Sequence, residues 1–243
     1  MREIVLDTET TGFEPHEGDR IVEIGAVELI GHVPTGRTYH QYINPMRSMP
    51  EGAFGVHGIG PDLLEPPRAA ENGEVTLRDK PVFADIAQSF LDFVGDAKMV
   101  IHNAAFDMKF LNAELGWLNR PHLPMDQSLD TLAIARRKFP GSPASLDALC
   151  RRFAIDNSNR TLHGALLDSE ILAEVYLELI GGRQPDFGLG AAASKSSSTA
   201  IASDDWRPQQ RPNPLSPRIT KEEAAAHHAF IESLGDGVLW NRD

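Results

Sequence analysis

Cysteine is nearly absent from this chain of 243 residues, Cys150 standing alone, which excludes an internal disulfide and any cysteine cluster for structural zinc and suits a reducing compartment. Positive charge is also short, 23 basic against 35 acidic residues for a net charge of −12. That excludes a broad basic face, so any contact with a polyanion has to be local. No window approaches eighteen consecutive apolar residues, which excludes a membrane-spanning helix. The strand-like run Ile4-Val5-Leu6 begins so close to Met1 that no room remains for a signal peptide. These absences together lead us to expect a cytoplasmic, globular protein with no membrane association.

What is present is a chain in two parts. Residues 1–182 alternate short β-like runs with amphipathic helical patterns, long enough for one sizeable core. Strands are expected over 2–7, 21–30, 37–43 and 98–102, and helices over 83–94, 104–117, 130–138, 145–153 and 164–180. Three strands in succession, followed by helices alternating with a strand, imply an α/β fold with a mixed sheet covered on both faces. The stretch 65–81 is polar with three prolines and reads as an excursion loop. From 183 to 219 the periodicity fades into Ala, Ser, Pro, Gln and Arg, a composition that buries too little apolar surface to order itself. Beyond that linker, Thr220-Lys221-Glu222-Glu223 has the form of a capping box, with Ala224, His228, Ile231 and Leu234 following at helical spacing. A short C-terminal helix and then Val238-Leu239-Trp240 are expected in 220–243.

Three segments carry chemistry. In Asp7-Thr8-Glu9 the two-residue period of a strand puts both acids on one face, where their charges repel and a divalent cation is the economical remedy. In Ile101-His102-Asn103-Ala104-Ala105-Phe106-Asp107 a strand runs into a helix that Asn103 is suited to cap, with Asp107 about one turn in. In the third, Asp168 shares a helical stripe with Leu172, Val175 and Leu179, so this acid lies on an apolar face and needs a partner. No lysine or arginine lies between Arg160 and Arg183 to serve locally. His163, five residues earlier, falls on the loop leading into that helix, where an imidazole can take a proton near neutral pH. Taken alone, His57 reads as a histidine on a surface loop.

The combination of Asp7-Thr8-Glu9-Thr10-Thr11-Gly12, His102-Asn103-Ala104-Ala105-Phe106-Asp107 and His163-Gly164-Ala165-Leu166-Leu167-Asp168 resembles the DEDDh family of 3′→5′ exonucleases, in the branch that proofreads for bacterial replicative polymerases. Residues 21–28, 56–59, 145–150 and 160–164 extend the likeness across about 2 to 180. The resemblance implies a ribonuclease-H-like fold whose five-stranded mixed sheet has an antiparallel second strand. It implies that Asp7, Glu9, Asp107 and Asp168 hold two divalent cations, Mg²⁺ or Mn²⁺, about 4 Å apart. Asp7 would bridge them, Glu9 and Asp168 would complete the nucleophile side, Asp107 would serve the second ion, and His163 would be the general base. Thr8, Thr10, Val56, His57 and Phe106 would surround the terminal nucleotide of a DNA 3′ end, and the product would be a 5′-mononucleotide. Ions in the site would explain how an acidic protein acts on DNA.

The resemblance also implies two partners. The segment 220–243 would dock on the catalytic alpha subunit of the polymerase, and Gln184, Phe187 and Leu189 resemble a sliding-clamp peptide with a glutamine and two apolar anchors. Two rival assignments use the same residues: a stand-alone DEDDh exonuclease on RNA or single-stranded DNA ends, and a replisome assembly subunit without catalysis. The long tail speaks against the first and the five intact catalytic positions against the second.

Overall fold

A computed structural model describes residues 1–71, 73–158, 162–182 and 219–233. The chain divides into two compact units, Met1–Gly190 and Ala191–Asp243. The first contains β1 (Arg2–Thr10), β2 (Ile21–Ile30), β3 (Val33–Tyr42), α1 (Glu51–His57), α2 (Phe83–Val94), β4 (Lys98–Ile101), α3 (Ala104–Trp117), β5 (Ser128–Asp130), α4 (Thr131–Lys138), α5 (Leu146–Phe153) and α6 (Ala165–Leu179). The five strands form one sheet in the order β3-β2-β1-β4-β5. β2 runs antiparallel to both β1 and β3, while β4 and β5 run parallel to β1.

Strand alternation sorts the core into two layers. Ile4, Leu6, Ile24, Met99 and Ile101 face α2 and α3, packing with Phe83, Phe90, Phe110 and Leu111. Val5, Val27, Leu29 and Val100 face the other way, onto Leu172, Ala173 and Tyr176 of α6. On that second face Tyr176 donates its hydroxyl proton to Oε1 of the buried Glu3 at 2.7 Å, and the other carboxylate oxygen lies 2.7 Å from His32 Nδ1. A third cluster joins α4, α5 and α6 through Ala135, Leu149, Cys150 and Val175.

The approach of α6 is set by β2. Glu23 and Gly25 share the face that meets this helix. Glu23 Oε2 accepts from the first helical amide, that of Ala165, at 2.9 Å, and Oε1 lies 2.7 Å from His40 Nε2. At Gly25 the missing side chain lets the helix backbone close in: an added Cβ would sit 2.1 Å from Leu166 N. Ser169 Oγ donates to the Gly25 carbonyl at 2.9 Å and fixes the contact.

The structure corrects the sequence reading at several points. β1 continues to Thr10, so the Asp7-Thr8-Glu9 segment lies within the strand, not at its end. β3 starts at Val33, not at 37. Residues 51–57, not expected to be regular, form α1, where two glycines weakened the helical signal. The three-residue β5 was too short to read, and its last residue, Asp130, caps α4 by accepting from Leu132 N at 2.9 Å. Asn103 precedes α3 in a left-handed conformation and makes no side-chain cap; its own amide donates to Asp130 Oδ1 at 3.1 Å. The excursion loop is anchored: Leu77 is fully buried with Val22, Met49 and Ile59, next to α1.

Of the second unit, α7 (Lys221–Ser233) is described. Its capping box is formed, Thr220 N donating to Glu223 Oε2 at 2.9 Å and Glu223 N to Thr220 Oγ1 at 3.2 Å. No residue of α7 is buried, and Phe230 is exposed. The linker expected over 183–219, apart from Ile219, the clamp-type residues Gln184, Phe187 and Leu189, and the terminal segment from Leu234 lie outside the described residues.

Gly25→Ala is expected to lower stability by about 1–3 kcal/mol, the usual cost of overpacking a close backbone contact. Urea unfolding measures it; an unchanged midpoint would mean that α6 shifts at no cost.

Candidate active site

β4 pairs with β1 as far as Val5–Val100, and β1 runs on past it to Thr10; the crevice beyond the carboxyl end of a parallel strand is where α/β sheets place their ligands. Asp7 and Glu9 reach it from the α6 face of β1. Asp168, one turn into α6, is 3 % exposed there. Asp107, one turn into α3, is 2 % exposed and arrives from the opposite layer, where Thr8 Oγ1 donates to its Oδ1 at 2.7 Å. A cleft of about 440 Å³ is lined by all four acids together with His163, His102 and Phe106. The four sequence-predicted acids and the predicted base are therefore brought to one place.

Burial, joined at Asp7 by repulsion from the neighbouring acids, raises the proton affinity of two of the four. Burial pushes the Asp7 carboxyl well above the usual carboxylate range, and the charges of Asp107, Glu9, Asp168 and Glu23 push it further. Asp107 is pushed up to about 7, chiefly by burial, against the lowering effect of the Thr8 hydroxyl. Neither Asp7 nor Asp107 forms an ion pair with lysine or arginine among the described residues. Ligand atoms of Glu9, His163 and Asp168 lie within 4.8 Å of one another. Hard oxygen donors converging in one cleft fit Mg²⁺ or Mn²⁺ in chemistry and charge.

His163 sits on the loop before α6, about half exposed, with Nδ1 3.5 Å from Asp168 Oδ2. The loop is held at a second point, because His163 N donates to the Val56 carbonyl of α1 at 3.1 Å. The helix that escaped the sequence reading thus fixes the height of the candidate base.

A second cavity of about 390 Å³ shares Thr8, Glu9 and Phe106 with the cleft and continues along Thr10, Phe13, Val56 and His57. All five residues expected around a nucleotide line it. His57 departs from a surface-loop histidine: it closes α1, is 5 % exposed, and accepts from Ile59 N through Nδ1 at 3.0 Å. Burial lowers its pKa to about 4, so the ring is neutral at physiological pH and offers a flat wall of low charge. Phe13 stands at the rim, 82 % exposed, edge-on to Phe106 with ring centroids 6.4 Å apart.

Sequence reasoning missed Glu23, Gly25 and Arg136. The first two were legible in principle as an acid and a glycine at i and i+2 in the apolar run Ile21–Ile30, a pattern that marks a helix start and a close approach on one face. Arg136 carried no signal, because its place in the cleft depends on how α4 packs.

Comparison with known proteins agrees with this geometry. The exonuclease (RNase_T) family matches residues 4–176. Relatives include the DNA polymerase III subunit epsilon of Rickettsia felis, 47 % identical over 96 % of this chain and 97 % of that one. The subunit of the same name from Escherichia coli K12 is 42 % identical over 98 % of this chain and 97 % of its own. Among solved structures, the fold is shared with the nuclease domain of 3′hExo, a DEDDh family member bound to rAMP, at a TM-score of 0.58 and 18 % identity over 74 % of this chain and 91 % of that domain. It is shared too with exonuclease X in complex with 5′ overhanging duplex DNA, at 0.52 and 24 % over 73 % and 90 %. Among the described residues no helix is long and apolar enough to cross a membrane. The chain therefore belongs to the exonuclease (RNase_T) family, among the epsilon subunits of DNA polymerase III.

Proposed function

We propose that this protein proofreads for a bacterial DNA polymerase III, hydrolysing the 3′-terminal phosphodiester of DNA and releasing 5′-mononucleotides. The observation that carries the proposal is the convergence of Asp7, Glu9, Asp107 and Asp168 beside His163, next to a cavity of about 390 Å³ lined by Phe106, Val56 and His57. Asp7, Glu9, Asp107 and Asp168 would together hold two divalent ions, Mg²⁺ or Mn²⁺, at the scissile phosphate. When bound, such ions supply positive charge to the scissile phosphate and acidify the attacking water. His163 accepts the proton of that water. Its exposure and its loop position let the ring turn toward solvent to release the proton afterwards.

Thr8, Thr10, Val56, His57 and Phe106 hold the terminal sugar and base. The neutral His57 and the Phe106 ring favour an unstacked base over a paired one, so a frayed, mismatched end enters at the lower cost. The segment 220–243 contacts the polymerase alpha subunit, Gln184, Phe187 and Leu189 reach the sliding clamp, and the protein works in the cytoplasm at the replisome. The exposed face of α7 supports the first of these, since a helix of this length gains most of its stability by burying an apolar side.

The proposal is tested by incubating the protein with a primer-template bearing a mismatched 3′ end, with Mg²⁺ and with chelator; metal-dependent release of 5′-mononucleotides is expected, and its absence would overturn the reading. Alanine at Asp7, Glu9, Asp107 or Asp168 is expected to abolish release, whereas His163→Ala slows it by about 10²-fold or more with metal binding retained. Full activity in Asp168→Ala would refute the ligand assignment.

Metal binding should also depend on pH in a definite sense. A carboxyl whose pKa is raised on folding binds its proton more tightly in the native state, so the metal-free protein loses stability as pH rises from the ordinary carboxylate range toward about 7. Divalent ions compete with those protons. The thermal shift produced by Mn²⁺ is expected to be small at low pH and to grow as pH climbs through about 7; a shift independent of pH would contradict the burial of these acids. Removing residues 191–243 should leave hydrolysis of free DNA intact and eliminate binding to the alpha subunit, read by gel filtration of the mixture. Undiminished binding would disprove the role given to the tail.

A further inference from the structure

Among the described residues the cleft holds one arginine, and the exonuclease reading above gives it no task. Arg136 lines the cleft with Leu132, Ser145 and Leu146, on the side away from the nucleotide cavity, which is lined by the Thr10–Phe13 turn and α1. It is the only lysine or arginine among the described residues that line the cleft. Its side chain is exposed, and among the described residues it makes no ion pair or hydrogen bond. Its backbone is well fixed. Thr131 and Ala135 of α4 are fully buried, Thr131 Oγ1 donates to the Ile101 carbonyl at 3.2 Å, and Asp130 caps the helix, so Leu132 and Arg136, one turn apart, are turned to the cleft.

Resting on the exonuclease reading, we infer that Arg136 grips a backbone phosphate of the DNA strand upstream of the scissile bond. The terminal nucleotide occupies the cavity beyond Phe106, and the scissile phosphate lies at the carboxylates. The remaining strand must then leave along the open part of the cleft, past Leu132, Arg136 and Ser145. A phosphate there meets a cation with unused donors, in a geometry suited to bidentate contact. In a protein of net charge −12, this arginine beside an acidic site also keeps the polyanion from being repelled before the ions are engaged. The contact is to the backbone, so it holds the strand without reading its sequence.

The test compares two substrates in Mn²⁺. One is a single-stranded oligothymidylate; the other is the p-nitrophenyl ester of thymidine 5′-monophosphate, which has the terminal nucleotide and no upstream phosphate. Arg136→Ala is expected to raise KM on the oligonucleotide about tenfold more than on the ester. The dependence of log(kcat/KM) on log salt should become shallower by about 0.7, one phosphate's worth for single-stranded DNA. Arg136→Lys should recover most of the loss by keeping the charge. Equal losses on both substrates with an unchanged salt slope would overturn the phosphate contact and assign Arg136 to the metal site. A wild-type protein that cleaves neither substrate would instead overturn the exonuclease reading itself.

Discussion

Repulsion among carboxylates is the constraint on which the rest of this structure depends. Four acids are drawn to the end of β1 from three elements, and three of them are almost fully removed from water. Left alone, such a group binds protons, as the upward displacement of Asp7 and Asp107 records. Its alternative is divalent cations, which convert an electrostatic liability into a place where a phosphodiester can be held and polarised. The acidic net charge of the chain is then no obstacle to DNA, because attraction is concentrated at one point.

Holding charges against their repulsion requires rigid carriers, and much of the fold answers that need. β1 presents Asp7 and Glu9 through strand alternation alone. α6 carries Asp168, and its position is fixed by β2 at three points: the Glu23 carboxylate on its first amide, the bare backbone of Gly25 beneath it, and the Ser169 hydroxyl. α3 carries Asp107, held to β1 by Thr8. Only His163, the base of the proposed reaction, sits on a loop, and even that loop is tied to α1.

The parts of the molecule legible in the sequence are those with local causes. Helices α2 and α3 appeared at the residues expected, because amphipathic period and flanking residues agree there. The carboxylates were legible because an acid on an apolar stripe, as Asp168 is, contradicts its surroundings. What could not be read depends on contacts distant in the chain. α1 has a glycine-weakened local signal and exists by packing against Val22, Met49 and Leu77. β5 is three residues long and is defined only by its pairing with β4. Asn103 has the chemistry of a helix cap, yet takes a left-handed turn because Asp130, from a strand not visible in the sequence, already accepts its amide. Arg136 likewise acquires meaning only once α4 is laid along the cleft.

The central claim is that these acids exist in order to hold two neighbouring divalent ions. Titration with Mn²⁺ followed by electron paramagnetic resonance tests it most directly, because two ions about 4 Å apart couple magnetically and a lone ion does not. The account predicts two ions bound per chain with a coupled-pair spectrum, reduced to one uncoupled ion or none in Asp7→Asn. A folded wild-type protein that binds a single ion, or whose two ions show no coupling, would contradict it.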